Sequence, residues 1–167
     1  MTQDPGGSGD ALAGQVISLL RTAGHTVAAA ESLTGGLLAA ALTSIPGASE
    51  AVRGGVVSYA TDLKATLLGV PQAMLDAHGA VYAGVAAAMA DGVRQRLGAT
   101  FGVATTGVAG PDPADGQPVG TVHIAVSAHD DTVVRTLALD GSRARIRRLT
   151  VERSLALLLG RLREDIR

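Results

Sequence analysis

Apolar positions in this chain recur at helical spacing in some segments and at strand spacing in others, and the two patterns alternate. From Ala11 to Ala23 the residues Leu12, Val16, Leu19 and Leu20 share one helix face, with Asp10 placed as an N-cap and Gly24 as a stop. Thr26 to Ala30 is a short, mostly apolar run that reads as a buried strand. Helical character returns from Gly36 to Thr43 and ends before Ile45-Pro46-Gly47. Gly54 to Ala60 predicts a second strand and Thr61 to Leu67 a short helix. Pro71 opens another helix, with Met74 and Leu75 inside it. Ala80 to Leu97 is a long Ala-rich helix closed by Gly98, and Thr100 to Thr106 is a third strand. Gly107 to Pro118 is a loop of Gly, Pro and Asp. Val119 to Ala128 and Thr132 to Leu139 are two strands joined at His129-Asp130-Asp131, the pattern of an antiparallel hairpin. A final helix starts at Asp140-Gly141-Ser142 and runs to about Arg163.

Strands alternate with helices until the hairpin. That order predicts an α/β fold, a three-layer αβα sandwich on a mixed, mostly parallel sheet of about five or six strands with a C-terminal antiparallel hairpin. A length of 167 residues suits a single domain, expected over 11–167. Residues 1–10 are acidic and Gly-rich, without the basic and apolar stretches of a secretory signal, and are expected to form a disordered leader.

Composition narrows the chemistry. Hydrophobic residues make up 47% of the chain, mostly Ala, Val and Leu, and the aromatics are only Tyr59, Tyr82 and Phe101. Stacking on nucleobases has little material, and a net charge of −1 offers no global attraction for nucleic acid. Cysteine is absent, which excludes disulfides, thiolate metal sites and a Cys nucleophile. His25, His78, His123 and His129 are scattered without ligand spacing, so no metal is expected, and acyl transfer by a serine beside a base needs no other cofactor. No apolar run is long enough to span a bilayer, and a cytoplasmic location is the expectation.

Ligands in open α/β sheets bind beyond the carboxyl ends of strands, and parallel strands would bring three polar clusters to one edge. The first is Glu31-Ser32-Leu33-Thr34-Gly35-Gly36. Either Ser32 or Thr34 caps the following helix, or Ser32 is a nucleophile beside amides that Gly35 and Gly36 leave accessible. The second is Tyr59 with Lys64, the only lysine among fourteen basic residues. Lys64 is either a surface residue or a base, since lysine, unlike arginine, can lose its proton when buried. The third is Thr105-Thr106-Gly107 with the loop behind it, either an ordinary turn or an anion cradle. Near the C-terminus, Arg143 and Arg147 share a helix face, as do Arg145 and Arg148, and form either a phosphate clamp or a solvated face.

The motifs Ala30-Glu31-Ser32-Leu33-Thr34-Gly35-Gly36, Val57-Ser58-Tyr59 with Lys64, His78-Gly79-Ala80-Val81, Thr106-Gly107-Val108-Ala109-Gly110-Pro111, Pro118-Val119-Gly120-Thr121-Val122 and Gly141-Ser142-Arg143 with Arg147 occur in one order. In that order, over about residues 11 to 164, the chain resembles the C-terminal domain of the competence/damage-inducible CinA family. The resemblance implies a nicotinamide mononucleotide (NMN) amidohydrolase that forms nicotinate mononucleotide and ammonia and recycles pyridine nucleotides. It implies Ser32 as nucleophile, Lys64 as its base and Tyr59 as an aid to proton transfer or to the orientation of Lys64. Thr34, Gly35 and Gly36 would supply amides, Thr106 and Gly107 would line the substrate, and Arg143 and Arg147 would contact its phosphate. A homo-oligomer is implied as well, with no nucleic-acid or membrane partner. A non-catalytic nucleotide-binding module and an amidase for another small carboxamide remain the alternatives. Departures from the family pattern fall at Leu33 (commonly Cys), Tyr82-Ala83 (Ser-Glu), Asp112-Pro113 (Gly-Gly) and Ser142 (Asp). Many relatives carry a further N-terminal nucleotide-processing domain, which this chain is expected to lack.

Overall fold

A computed structural model describes residues 7–166. Five strands form one sheet in the order β2-β1-β3-β4-β5: β1 (Val27–Glu31), β2 (Val52–Val57), β3 (Phe101–Gly107), β4 (Thr121–Ser127) and β5 (Thr132–Ala138). β1 lies between β2 and β3 and is parallel to both, whereas β3–β4 and β4–β5 are antiparallel. The sheet is therefore evenly mixed, and the three parallel strands end on the same side.

Six helices cover its two faces: α1 (Gly7–Ala23), α2 (Leu37–Thr43), α3 (Thr61–Leu68), α4 (Gln72–His78), α5 (Ala83–Arg96) and α6 (Arg143–Asp165). Strand periodicity assigns the sides. Val27, Ala29, Phe101 and Val103 pack with Ile17 and Leu20 of α1, Leu38 and Leu42 of α2 and Leu155 and Leu158 of α6. Ala28, Ala30 and Ala104 face the other way, onto Val85, Met89 and Val93 of α5 and Leu68 of α3. Small residues let α5 lie very close to the sheet. A Cβ on Gly102 would land on the Ala90 carbonyl, and one on Gly92 would land on the Leu68 carbonyl.

Element ends differ from expectation where tertiary contacts set them. α1 begins at Gly7, so Asp10 sits in its first turn rather than at its N-cap, and residues 7–10 of the expected leader are helical. Residues 1–6 of that leader lie outside the described residues. β2 starts two residues early because Val52 pairs with Val27, and Ala60 is already the N-cap of α3. α5 starts at Ala83 instead of Ala80, since the Ala80 and Val81 amides are bound to Asp115 from across the molecule. β4 starts at Thr121 because Gly120 takes a φ of +90°. A 3-10 turn at Ala48–Glu50 was not expected.

Candidate active site

Backbone pairing carries on past the parallel strands and places the two central side chains. The Ser32 amide donates to the Thr105 carbonyl (3.1 Å), and the Ser58 amide donates to the Glu31 carbonyl (2.9 Å). Ser32 therefore stands just beyond β1, and Ser58 just beyond β2. One turn into α3, Lys64 runs back under the sheet edge with no exposed surface. Its Nζ lies 3.0 Å from Ser32 Oγ and donates to the Ser58 carbonyl at 2.6 Å. The Lys64 amine is lowered from 10.5 to about 8, because burial pushes it down by more than the Asp115 carboxylate raises it. An amine so placed can keep one hydrogen bond to the Ser58 carbonyl while its lone pair takes the proton of Ser32 Oγ.

The cap of α2 is neither Ser32 nor Thr34. Glu31, itself buried, turns its carboxylate to the helix start, accepting from the Leu38 amide at 2.8 Å and the Ala39 amide at 3.0 Å. The N-cap position is Gly36, at φ +104°, with no side-chain bond of its own. A carboxylate thus occupies the positive end of α2 and leaves the Ser32 hydroxyl free of any capping role. Glu31 was legible in the motif, but its role was not, because its partners lie in the helix beyond a glycine turn.

Ser32 and Lys64 line a cavity of about 280 Å³ with Tyr59, Thr106, Gly107 and Arg143. Thr106 is buried and donates its hydroxyl to the Ala80 carbonyl at 2.8 Å. Gly107 is required by packing, since a Cβ there would come within 2.6 Å of the Thr121 carbonyl oxygen. Arg143, the first residue of α6, donates to the Gly110 carbonyl (2.7 Å) and to the Tyr59 hydroxyl (2.9 Å). Ser142 supplies the α6 cap, accepting from the Arg145 amide at 3.3 Å.

Several expected site residues have other partners than expected. Tyr59 is 59% exposed and is bonded to Arg143, not to Lys64 or Ser32. Thr34, Gly35, Gly36 and Arg147 are not on the cavity wall. The Thr34 hydroxyl shares a 2.8 Å bond with the Thr105 hydroxyl, and the Gly35 amide is spent on the Ser32 carbonyl at 3.0 Å. Arg147 braces the nucleophile turn, donating to the carbonyls of Leu33 (2.9 Å) and Thr34 (3.1 Å). It comes so close to Gly35 that a Cβ there would stand 3.3 Å from its guanidinium. Among the described residues, the amides of Leu33, Thr34 and Gly36 have no hydrogen-bond partner. Arg148 and Arg161 form surface ion pairs with Glu152 and Asp131. Among the described residues no helix is long and apolar enough to cross a membrane, and no group of three or more His, Cys, Asp or Glu side chains is placed to hold a metal ion.

The model of the CinA C-terminal domain matches residues 9–162. A CinA-like protein of Frankia casuarinae is 56% identical over 153 residues, covering 92% of this chain and 35% of the relative. A CinA-like protein of Gloeobacter violaceus is 49% identical and covers 92% of this chain and 37% of its own. The chain thus spans about a third of the length of the curated relatives it matches. The crystal structure of the competence/damage inducible protein CihA from Agrobacterium tumefaciens has a TM-score of 0.89 at 39% identity, covering 96% of this chain and 98% of that one. A CinA superfamily structure from Klebsiella pneumoniae has a TM-score of 0.90 at 29% identity, covering 93% and 98%.

Proposed function

The chain belongs to the CinA C-terminal domain family, and from that premise we propose that it hydrolyses the carboxamide of NMN by Ser-Lys acyl transfer, in the cytoplasm and in the service of pyridine nucleotide recycling. The observation that carries this reading is the 3.0 Å approach of a buried, solitary lysine to the Ser32 hydroxyl. Neutral Lys64 takes the Ser32 proton, and Oγ attacks the carboxamide carbon. The amide of Leu33, a residue of the cavity wall next to the nucleophile and free of other partners, receives the developing oxyanion. Protonated Lys64 returns its proton to the leaving nitrogen, ammonia departs, and water hydrolyses the acyl-enzyme. On this reading Arg143, which lines the cavity, meets the phosphate, and the Tyr59 hydroxyl yields to it. The partners on this reading are the nucleotide and further copies of the chain, not nucleic acid or membrane.

Purified chain is mixed with NMN and ammonia release is followed. Wild type releases ammonia, and Ser32→Ala and Lys64→Ala each lose at least about 100-fold in kcat while keeping their fold by circular dichroism. Saturable NMN binding without ammonia would favour a nucleotide-binding module, and ammonia from another carboxamide alone would favour a different amidase. Near-normal turnover by Lys64→Ala would refute the dyad.

A further inference from the structure

The loop between β3 and β4 is long, yet one side chain ties its far end to the opposite wall of the cavity. Asp115 accepts through Oδ2 from the amides of Ala80 (2.8 Å) and Val81 (3.2 Å). Its φ of +51° is the only positive value at a non-glycine among the described residues. The residue before the paired amides, Gly79, has no room for a side chain, since a Cβ there would stand 2.7 Å from Asp115 Cγ. Ala80 is held from the other direction as well, through its carbonyl, by Thr106. Ala80, Val81, Ala114 and Asp115 all line the cavity that holds Ser32 and Lys64.

We propose that Asp115 is a positioning residue, a single-side-chain latch that fastens the β3–β4 loop to the Ala80–Val81 wall and so holds the cavity in its substrate-receiving shape. A left-handed conformation at a residue with a side chain persists only where the surroundings enforce it, and here two amide donors and the crowding against Gly79 do so. The carboxylate sits one turn ahead of α5, where the helix favours negative charge. The same carboxylate also stabilises the ammonium form of Lys64 through its charge. The other titratable or charged groups around the cavity are Tyr59 from the end of β2, Asp112 from the same loop and Arg143 from α6, with Asp62 on α3 itself and Glu31 of β1 turned away to α2. The kinetic half of this inference rests on the proposed amide hydrolysis, but the latch itself does not.

Two variants separate geometry from charge. Asp115→Asn keeps an oxygen acceptor and tolerates the left-handed backbone, but removes the charge. Asp115→Gly accepts φ +51° without strain and removes the latch. Amide hydrogen exchange at Ala80 and Val81 should speed up about tenfold or more in Asp115→Gly and stay within about threefold of wild type in Asp115→Asn. Lys64, as the single lysine, gives one side-chain signal in ¹³C-lysine-labelled protein, and its titration should move to lower pH in Asp115→Asn. With NMN as substrate, Asp115→Gly should raise KM by about tenfold and change kcat by less than about threefold. Unchanged exchange at Ala80 and Val81 in Asp115→Gly overturns the latch. If wild type releases no ammonia from NMN while the exchange and titration results appear, the functional reading fails and the latch stands. A lower melting temperature with unchanged exchange and KM would mark a purely structural aspartate and overturn the proposal.

Discussion

Lys64→Met isolates the energetic consequence of placing an amine under the sheet edge. Methionine is close in length and keeps the space filled, so the comparison turns on charge and hydrogen bonds. In the folded protein the amine titrates at about 8 and in the unfolded chain near 10.5. The folded state therefore binds fewer protons than the unfolded one between these values, and stability rises with pH through that window. Below about pH 8 the penalty is fully present, and it fades towards the unfolded value above. At one pKa unit per 1.36 kcal/mol, the penalty is about 3 kcal/mol at pH 7 and about 1 kcal/mol at pH 10. Against this, methionine loses the bonds to the Ser58 carbonyl and Ser32 Oγ, roughly 1–3 kcal/mol that changes little with pH. The sign of the difference at a single pH is thus a contest, but its pH dependence is not. Urea unfolding of both proteins across this range should show the variant losing about 2 kcal/mol relative to wild type between pH 7 and pH 10. Other titrating groups cancel in the comparison. Parallel stability curves would mean that Lys64 titrates normally, and the base assignment would lose its physical ground.

Three further outcomes follow from the same geometry. Deamidation of NMN should rise about tenfold per pH unit below pH 8 and level off above it, since only the neutral amine can accept the Ser32 proton; a flat profile, or a limb near the free-lysine value, would contradict this. Glu31→Ala should destabilise the fold by about 2–4 kcal/mol in denaturant titration, because the Leu38 and Ala39 amides lose a charged acceptor away from water, with Glu31→Gln in between. Arg147→Ala should lower kcat about fivefold or more with little change in KM, as it braces the nucleophile turn outside the cavity, whereas Arg143→Ala should act mainly on KM; equal effects of both on KM would return Arg147 to the substrate.

The site was legible in the sequence to the extent that chemistry coincided with strand ends. Ser32 and Lys64 each follow a strand by a few residues, and parallel pairing on both sides of β1 brings them together. Asp115 was illegible because nothing local marks it beyond an Asp-Gly turn pair, and its partners lie 34 and 35 residues back in the chain. Arg147 was misplaced for a different reason. Helical spacing puts it on the face of Arg143, but the first turn of α6 reaches the cavity while the second meets the back of the Ser32 turn.

Local periodicity and composition by themselves determined the layers of this protein: which segments are helices or strands, and that small aliphatic side chains fill the space between them. They also determined the reactive inventory, one lysine and no cysteine. Only the tertiary structure decided what each polar group does. A carboxylate caps a helix or an amine loses its proton because of what is packed around it, and those neighbours come from β2, α3, the β3–β4 loop and α6, segments joined by folding alone. Desolvation and hydrogen-bond partnership are properties of a place in space, and a sequence specifies that place only through the whole of the fold.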